Sequence, residues 1–199
     1  MAKACEEQGR VMTDEFHHTF MGMNMDGVGE MIKKEFGEDF DTEKCFARCI
    51  ELNREIIKKG IPLMKGAREL LDFLHQRGIK TCIGTTTERL GTTRLLKSTN
   101  MLDEFDDIVC GDEIENGKPA PDIYLECFHK FNVDKSEVLI FEDGQAGAEA
   151  AIASGMRLVL VPDLALLDDE VKSKAFKVIS SLDKIIDVIK EENERTASI

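Results

Sequence analysis

The stretch VLIFEDGQAGAEAAIASGM, residues 138–156, decides the fold of this 199-residue chain. Four apolar residues at 138–141 predict a strand that is buried on both faces of a parallel sheet. Glu142 and Asp143 come next, followed by a glycine-bearing turn at 144–147 and an alanine-rich helix that ends at Gly155. Residues just past the carboxyl end of such a strand face the ligand crevice of an open α/β sheet.

The acid pair Glu142–Asp143 predicts a metal site. Two adjacent carboxylates in a crevice repel each other unless a cation or a positive side chain lies between them. Mg²⁺ is a hard ion that binds one or two carboxylates and keeps several waters. We therefore expect Mg²⁺ at this pair, and the alternative is a solvated loop that carries two acids.

The composition limits the possible partners. A net charge of -13 argues against nucleic acid, although a local cation and a metal can still hold a phosphorylated small molecule. No apolar run reaches the length of a membrane span, so we expect no membrane partner. Six cysteines without a CxxC pair indicate free thiols in a reducing compartment. The N-terminus has no leader pattern, so we expect a cytoplasmic protein. We also expect a monomer or a weak homo-oligomer.

The chain changes its pattern near Pro62, which predicts two domains, 1–63 and 64–199. The first is predicted to be wholly helical, and its last helix has an apolar stripe formed by Phe46, Cys49, Ile50, Asn53 and Ile57. The second alternates helices with strands at 79–84, 107–111, 138–141 and 157–161 and a short apolar piece at 177–179. This alternation predicts right-handed βαβ units and a parallel sheet, so the fold class is α/β.

Two further strand ends carry polar residues. The string IGTTTER places Thr85, Thr86 and Thr87 where a helix begins, which suits phosphate because hydroxyls and free backbone N–H groups meet there. Taken alone, the threonines fit a plain helix N-cap equally well. In GDEIENGKPAPDIYLE, Lys118 lies in a stiffened loop before a helix and supplies a point charge for a phosphate or a carboxylate.

The order and spacing of these strings resemble a known family. The hydroxyl at Thr85, GKPAPDIYL around Lys118 and FEDG at 141–144 resemble motifs two, three and four of the haloacid dehalogenase-like hydrolases. The similarity is greatest to the subgroup of β-phosphoglucomutase and small sugar- or nucleotide-phosphate phosphatases, which VPD at 161–163 also resembles. This resemblance implies a Rossmann-like core, a mobile helical cap at 1–63, Mg²⁺, and phosphoryl transfer from a small phosphorylated metabolite through an aspartyl-phosphate.

The resemblance also implies roles for individual residues. Thr85 would hold the transferring phosphoryl group with help from the backbone at Thr86. Lys118 would neutralise the phosphate and the nucleophile. Asp143 would ligate Mg²⁺, and Glu142 would ligate it or orient a bound water.

The family's first motif, a buried strand ending in DxDGT or DxDGV, has no counterpart here. In the family, its first aspartate is the nucleophile and its second is the general acid/base. The only similar string, Asn24-Met25-Asp26-Gly27-Val28, follows HHTFMGM rather than a buried strand, and we interpret it as coincidence. We expect the chain to begin inside the first cap helix, with the first core strand missing from between the strands that end at Thr85 and Glu142. Upstream residues, closure of the sheet or another chain could fill that place.

The leading interpretation is a phosphatase-type member of the family that lacks its nucleophile within this chain. Phosphatase is preferred to phosphomutase because Met21 and Met25 flank Gly22, where the mutases have basic residues that grip a second phosphate. The non-enzyme alternative is a homologue that keeps the phosphate pocket but cannot form the aspartyl intermediate. The chain alone is therefore expected to be inactive.

Overall fold

The computed structural model describes residues 1–20, 25–163 and 167–196, which divide into two units, Met1–Ile61 and Pro62–Ile199. The string at 24–28 and the positions around Gly22 fall partly or wholly outside the described residues. None of the helices in the described part is both long and apolar enough to cross a membrane.

The unit Met1–Ile61 is built from helices. They are α1 (Ala2–Glu6), α2 (Asp14–His18), α3 (Met25–Phe36) and α4 (Thr42–Lys59). Two begin at side-chain caps, because Thr13 Oγ1 accepts a hydrogen bond from the Phe16 backbone N–H at 3.1 Å and Asp41 Oδ1 accepts one from Lys44 at 2.9 Å. Such caps satisfy backbone donors that have no partner inside the helix.

The buried face of α4 differs from the predicted stripe. Ile50 is 51% exposed, whereas Cys45 is fully buried and its Sγ lies 3.7 Å from Sγ of Cys5 on α1. Phe46 and Cys49 do pack against this core, so the predicted face was displaced by part of a turn. The core of this unit consists of Ala4, Cys5, Met12, Phe20, Val28, Ile32, Phe40 and Cys45.

In the unit Pro62–Ile199, the described residues form five parallel strands in two sheets. They are β1 (Cys82–Gly84), β2 (Asp107–Val109), β3 (Leu139–Glu142), β4 (Arg157–Leu160) and β5 (Lys177–Val178). β1 pairs with β2, and a second sheet has the order β3-β4-β5. The helices are α5 (Ala67–His75), α6 (Arg89–Ser98), α7 (Asp122–His129), α8 (Gln145–Ser154), α9 (Asp169–Lys174) and α10 (Ile185–Thr196). The predicted α/β class with parallel strands is confirmed.

Strand burial follows strand pairing. The central strand β4 is covered on both faces, since Leu158 and Leu160 belong to a cluster with α7 and α8, whereas Val159 lies in a cluster with α5 and α10. The strands β1 and β3 are each paired on one side only among the described residues, and they are mostly half-buried. Within the ranges that the structure describes, no ladder joins β1 to β3, so each of these strands has one edge without a strand partner.

Several strands and helices begin or end at residues other than those predicted. The first strand begins at Cys82 rather than at residue 79, because the Thr81 backbone N–H donates to Asp106 Oδ2 at 2.9 Å instead of to a neighbouring strand. The last helix is preceded by a 3-10 turn at Leu182–Lys184 and continues to Thr196, beyond its predicted end at residue 191. The first and last residues of an element depend on side-chain hydrogen bonds, and the periodicity of apolar residues does not reveal such bonds.

Gly66 provides a test of how the start of α5 packs. Gly66 has φ +82°, and a Cβ there would overlap the backbone of Asp183, whereas Gly78 has φ +63° and no atom within 4 Å of such a Cβ. Alanine strains the left-handed backbone at both positions by about 1–2 kcal/mol. We expect Gly66→Ala to lower the free energy of unfolding by about 1–3 kcal/mol more than Gly78→Ala, measured by urea denaturation. Equal losses in the two variants would contradict close packing at Asp183.

Candidate active site

The candidate site is built at the end of β3. Glu142 is the last residue of that strand, and α8 begins three residues later at Gln145. A Cβ at Gly147, in the first turn of α8, would overlap the Glu142 carboxyl group. The short turn and the glycine together allow the Glu142 side chain to lie directly against the helix.

Lys118 and Glu142 form a shielded ion pair. Lys118 Nζ lies 2.5 Å from Glu142 Oε1, and the two side chains are 11% and 9% exposed. The Tyr124 hydroxyl donates to the same oxygen, and the Asp143 backbone N–H donates to Oε2 at 3.3 Å. Both oxygens of Glu142 therefore have donors within the protein, so its predicted role as a cation ligand requires that it gives up part of this arrangement.

Tyr124 is the functional residue that the sequence analysis missed. Burial, and then the negative charge of Glu142, raise the pKa of Tyr124 far above its usual range, so the phenol keeps its proton and donates a hydrogen bond to the carboxylate. Lys118 Nζ lies 4.9 Å from the centroid of the Tyr124 ring. The signal was present in the string GKPAPDIY, where the tyrosine lies six residues after the lysine in the first turn of α7.

Asp143 is more open than its neighbour and lines a cavity of about 460 Å³ with Lys65, Asp163 and Ser180. It reaches solvent, but the surrounding walls of this concave site still desolvate its charge. That desolvation, and then the charge of Glu142, raise the pKa of Asp143 above its ordinary value, with a further contribution from Asp163. The carboxylate therefore lies in a field that favours a proton or a metal cation.

The raised pKa of Asp143 predicts a pH-dependent effect of its removal. The folded state binds this proton more tightly than the unfolded chain, so ionisation costs stability as the pH rises from the ordinary carboxyl pKa of 3.8 through the raised value. We expect Asp143→Asn to raise Tm at pH 7 and to lose this advantage below about pH 4, in thermal melts over a pH series. The same change at exposed Asp103 should have little effect. A lower Tm at pH 7 in Asp143→Asn would contradict this origin.

The threonines at the end of β1 form a turn rather than a helix cap. Thr85 Oγ1 accepts a hydrogen bond from the Thr87 backbone N–H at 3.2 Å, and α6 begins later, with Glu88 as its N-cap. The alternative interpretation of these threonines as a plain N-cap is wrong. In the described part of the chain, no hydrogen bond joins Thr85 or Thr86 to the Lys118–Glu142 pair.

The end of β1 is nevertheless close to this pair through Tyr124. A Cβ placed on Gly84, just before Thr85, would lie 3.5 Å from Cε1 of the Tyr124 ring. The same tyrosine bonds to Glu142 at the end of β3. Tyr124 thus lies beside the end of β1 and bonds to the end of β3.

The donor set at the end of β3 fits Mg²⁺. Asp143 offers a carboxylate whose pKa is raised by desolvation and then by the negative charge of Glu142, and hard oxygen donors of this kind are the ligands that Mg²⁺ prefers. Glu142 could also bind the ion only by sharing its carboxylate oxygens. These oxygens now contact Lys118, Tyr124 and the Asp143 backbone N–H. Asp143 is therefore the residue that would hold the ion first.

A second cluster of potential ligands is already neutralised. Among the described residues, Cys110, Asp112 and Glu113 place one ligand atom each within 4.8 Å of one another. The Arg89 guanidinium donates to both oxygens of Glu113 at 2.6 and 2.7 Å, and its backbone N–H donates to Asp112 at 2.9 Å. A fixed positive charge in the cluster makes it a poor place for a metal cation.

Comparisons with known proteins show what this chain is similar to. A family model described as haloacid dehalogenase-like hydrolase matches residues 1–161. A probable pseudouridine-5'-phosphatase of Drosophila melanogaster is 32% identical over 183 residues, which are 89% of this chain and 78% of that protein. A phosphorylated carbohydrates phosphatase of Thermotoga maritima is 29% identical over 95% of this chain and 88% of its own length.

The fold is similar to that of solved structures as well. The crystal structure of β-phosphoglucomutase from Clostridium difficile has a TM-score of 0.78 and 21% identity, and the match covers 100% of this chain and 89% of that one. At this identity the likeness supports the fold alone. Because the family model matches residues 1–161 and the Drosophila relative is 32% identical over 78% of its own length, this chain belongs to the haloacid dehalogenase-like hydrolase family.

Proposed function

We propose that this chain is a phosphatase-type family member that acts on a small phosphorylated metabolite, a sugar or nucleotide phosphate, with Mg²⁺ as its cofactor. The reaction passes through an aspartyl-phosphate whose aspartate is not among residues 1–199, since these residues contain no Asp-x-Asp-Gly string. The two relatives, a probable pseudouridine-5'-phosphatase and a phosphorylated carbohydrates phosphatase, support the substrate class. The free thiols of all six cysteines support a reducing, cytoplasmic location.

The ion pair of Lys118 and Glu142 is the observation that carries the proposal. Lys118 is only 11% exposed and its positive charge is paired with the Glu142 carboxylate, which is 9% exposed. A phosphate that enters can take over Lys118 as its counter-ion, because a phosphate carries more negative charge than one carboxylate. Lys118 then binds the phosphoryl group, and Thr85 and the backbone at Thr86 approach it from the end of β1.

Asp143 would hold the metal, with Glu142 as a second ligand or as the residue that orients a bound water. Bound Mg²⁺ supplies positive charge that balances the phosphoryl oxygens during transfer. The residues of this chain supply binding and orientation. Lys118 neutralises the phosphate, Thr85 fixes its position, and the apolar packing under β3 keeps the acid pair in place.

Calorimetry and phosphate-release assays on the protein of residues 1–199 test the proposal directly. This protein is expected to bind Mg²⁺ weakly in calorimetry and to lose that binding in Asp143→Asn, because the missing nucleophile would normally supply another carboxylate. It is expected to release no phosphate from sugar phosphates above background, since Thr85 has no histidine base beside it in the motif. Tight Mg²⁺ binding that survives Asp143→Asn, or turnover that Thr85→Ala or Asp26→Asn abolishes, would overturn this assignment.

The second candidate function is a phosphate-binding homologue without catalysis. The observation that favours it is the lack of an Asp-x-Asp-Gly strand in the sequence. An in-frame upstream segment that encodes such a strand would decide for the phosphatase, and its absence from the gene would decide for the binder. A phosphomutase is the third possibility. The choice against it rested on Met21 and Met25, which flank Gly22, and positions 21 and 22 lie outside the described residues.

A further inference from the structure

Tyr124 lies between the groups that the proposed function uses. Its side chain is 7% exposed, its hydroxyl donates to Glu142 Oε1, and its ring faces Lys118 Nζ. On its other side the ring lies against the backbone of Gly84, next to Thr85. One side chain therefore contacts the lysine, the acid and the strand end that are expected to meet the ligands.

The Lys118–Glu142 ion pair competes with the binding of both expected ligands, phosphate and a metal cation, and Tyr124 can resolve this competition. A phosphate competes with Glu142 for Lys118, and a metal cation competes with Lys118 for Glu142. When Lys118 turns to a phosphate, the Glu142 carboxylate loses this charged partner and becomes a better ligand for a cation. The reverse also holds, because a cation at Glu142 frees Lys118 for an anion, and such coupling between two ligands is reciprocal.

We propose that Tyr124 is a positioning residue whose hydroxyl keeps the Glu142 carboxylate oriented after Lys118 leaves it, and thereby couples phosphate binding to cation binding. This proposal rests on the proposed function. The tyrosine bond is neutral, so it fixes the direction of the carboxylate without cancelling its charge. Without the hydroxyl, the released carboxylate could rotate away, and phosphate would no longer improve the site for the cation.

The chain offers a direct probe, because Tyr124 is its only tyrosine and it contains no tryptophan. Emission excited at 280 nm therefore reports on this one residue. In the wild-type protein, Mg²⁺ and inorganic phosphate added together are expected to change that emission, since both ligands alter the partners of Glu142. An emission that stays constant at saturating ligands would overturn the proposal, and this measurement requires no variant.

The coupling itself is measured by calorimetry of Mg²⁺ with and without saturating inorganic phosphate. We expect phosphate to strengthen Mg²⁺ binding about fivefold or more in the wild type and to have little effect in Tyr124→Phe, which keeps the ring but lacks the hydroxyl. Cys127→Ser is the matched control, because it changes the same helix beside Gly84 and should keep the coupling.

The outcomes separate the two proposals. Equal coupling in the wild type and Tyr124→Phe would overturn the role of the hydroxyl and leave the proposed function standing. Loss of coupling in Cys127→Ser as well would also overturn it, because packing of α7 rather than the hydroxyl would then be responsible. A wild-type protein that binds neither Mg²⁺ nor phosphate would overturn the proposed function, and this inference with it.

Discussion

A protein in which an apolar strand ending in Asp-x-Asp-Gly-Val and leading into a helix is fused ahead of Met1 is expected to melt at a higher temperature and to gain Mg²⁺-dependent phosphatase activity. The strands β1 and β3 are half-buried, and each has one side without a partner among the described residues. A strand that enters between them pairs with both and buries apolar surface, at roughly 25 cal/mol per Å². Five inserted residues could add several kcal/mol, comparable with the net stability of a domain.

The activity should depend on the new aspartate and the stability should not. That carboxylate would enter beside Lys118 and Asp143, where positioning and charge supply most of what phosphoryl transfer requires. Replacing it by asparagine is expected to remove phosphate release while the gain in Tm persists, because the gain comes from the strand. A fusion that melts no higher and stays inactive would contradict the idea that a strand is missing from this sheet.

Replacing Lys118 by methionine is expected to lower the free energy of unfolding by about 3–5 kcal/mol. The substitution leaves the Glu142 carboxylate shielded from water, with the neutral Tyr124 hydroxyl and a backbone N–H as its donors. The double variant Lys118→Met/Glu142→Gln should recover much of the loss, because the unpaired charge has been removed. Urea denaturation of the three proteins measures both effects.

The matched control is Lys130→Met. Lys130 lies at the end of α7, the helix that follows Lys118. Lys130 pairs with Glu126 at 3.3 Å, but the two side chains are 37% and 43% exposed. Solvent screens such pairs, so this substitution should cost no more than about 1 kcal/mol. Similar losses for Lys118→Met and Lys130→Met would show that the pair with Glu142 is not effectively buried.

The class of the fold could be predicted from the sequence because helix and strand signals alternate strongly after Pro62. The first and last residues of each strand and helix could not be predicted in this way. The first strand loses three predicted residues since the Asp106 carboxylate captures a backbone N–H at Thr81. The stripe of α4 was displaced because Ile50 and Cys45 are both apolar, and only packing decides that Cys45 is buried and Ile50 exposed.

The sequence named Lys118, Glu142 and Asp143 as candidate site residues, but it predicted neither Tyr124 nor the contacts among these side chains. The strings around Lys118 and Glu142 marked two residues far apart in sequence, and the structure brings them together at 2.5 Å. Spacing alone assigned Glu142 to a metal, whereas the structure gives its oxygens to Lys118, Tyr124 and a backbone N–H. Which partner a carboxylate takes depends on competition between nearby charges, and a linear pattern contains no distances.

The position of the Glu142 carboxyl group against α8 has an evolutionary consequence. Its atoms occupy the volume that any side chain at residue 147 would need. A lineage that acquires alanine at Gly147 must first shorten or redirect residue 142, whereas a lineage that has lost the acid is free to accept the larger residue. Substitutions at 142 and 147 should consequently appear in that order among homologues. A side chain at 147 would then mark branches in which Lys118 has already lost this partner.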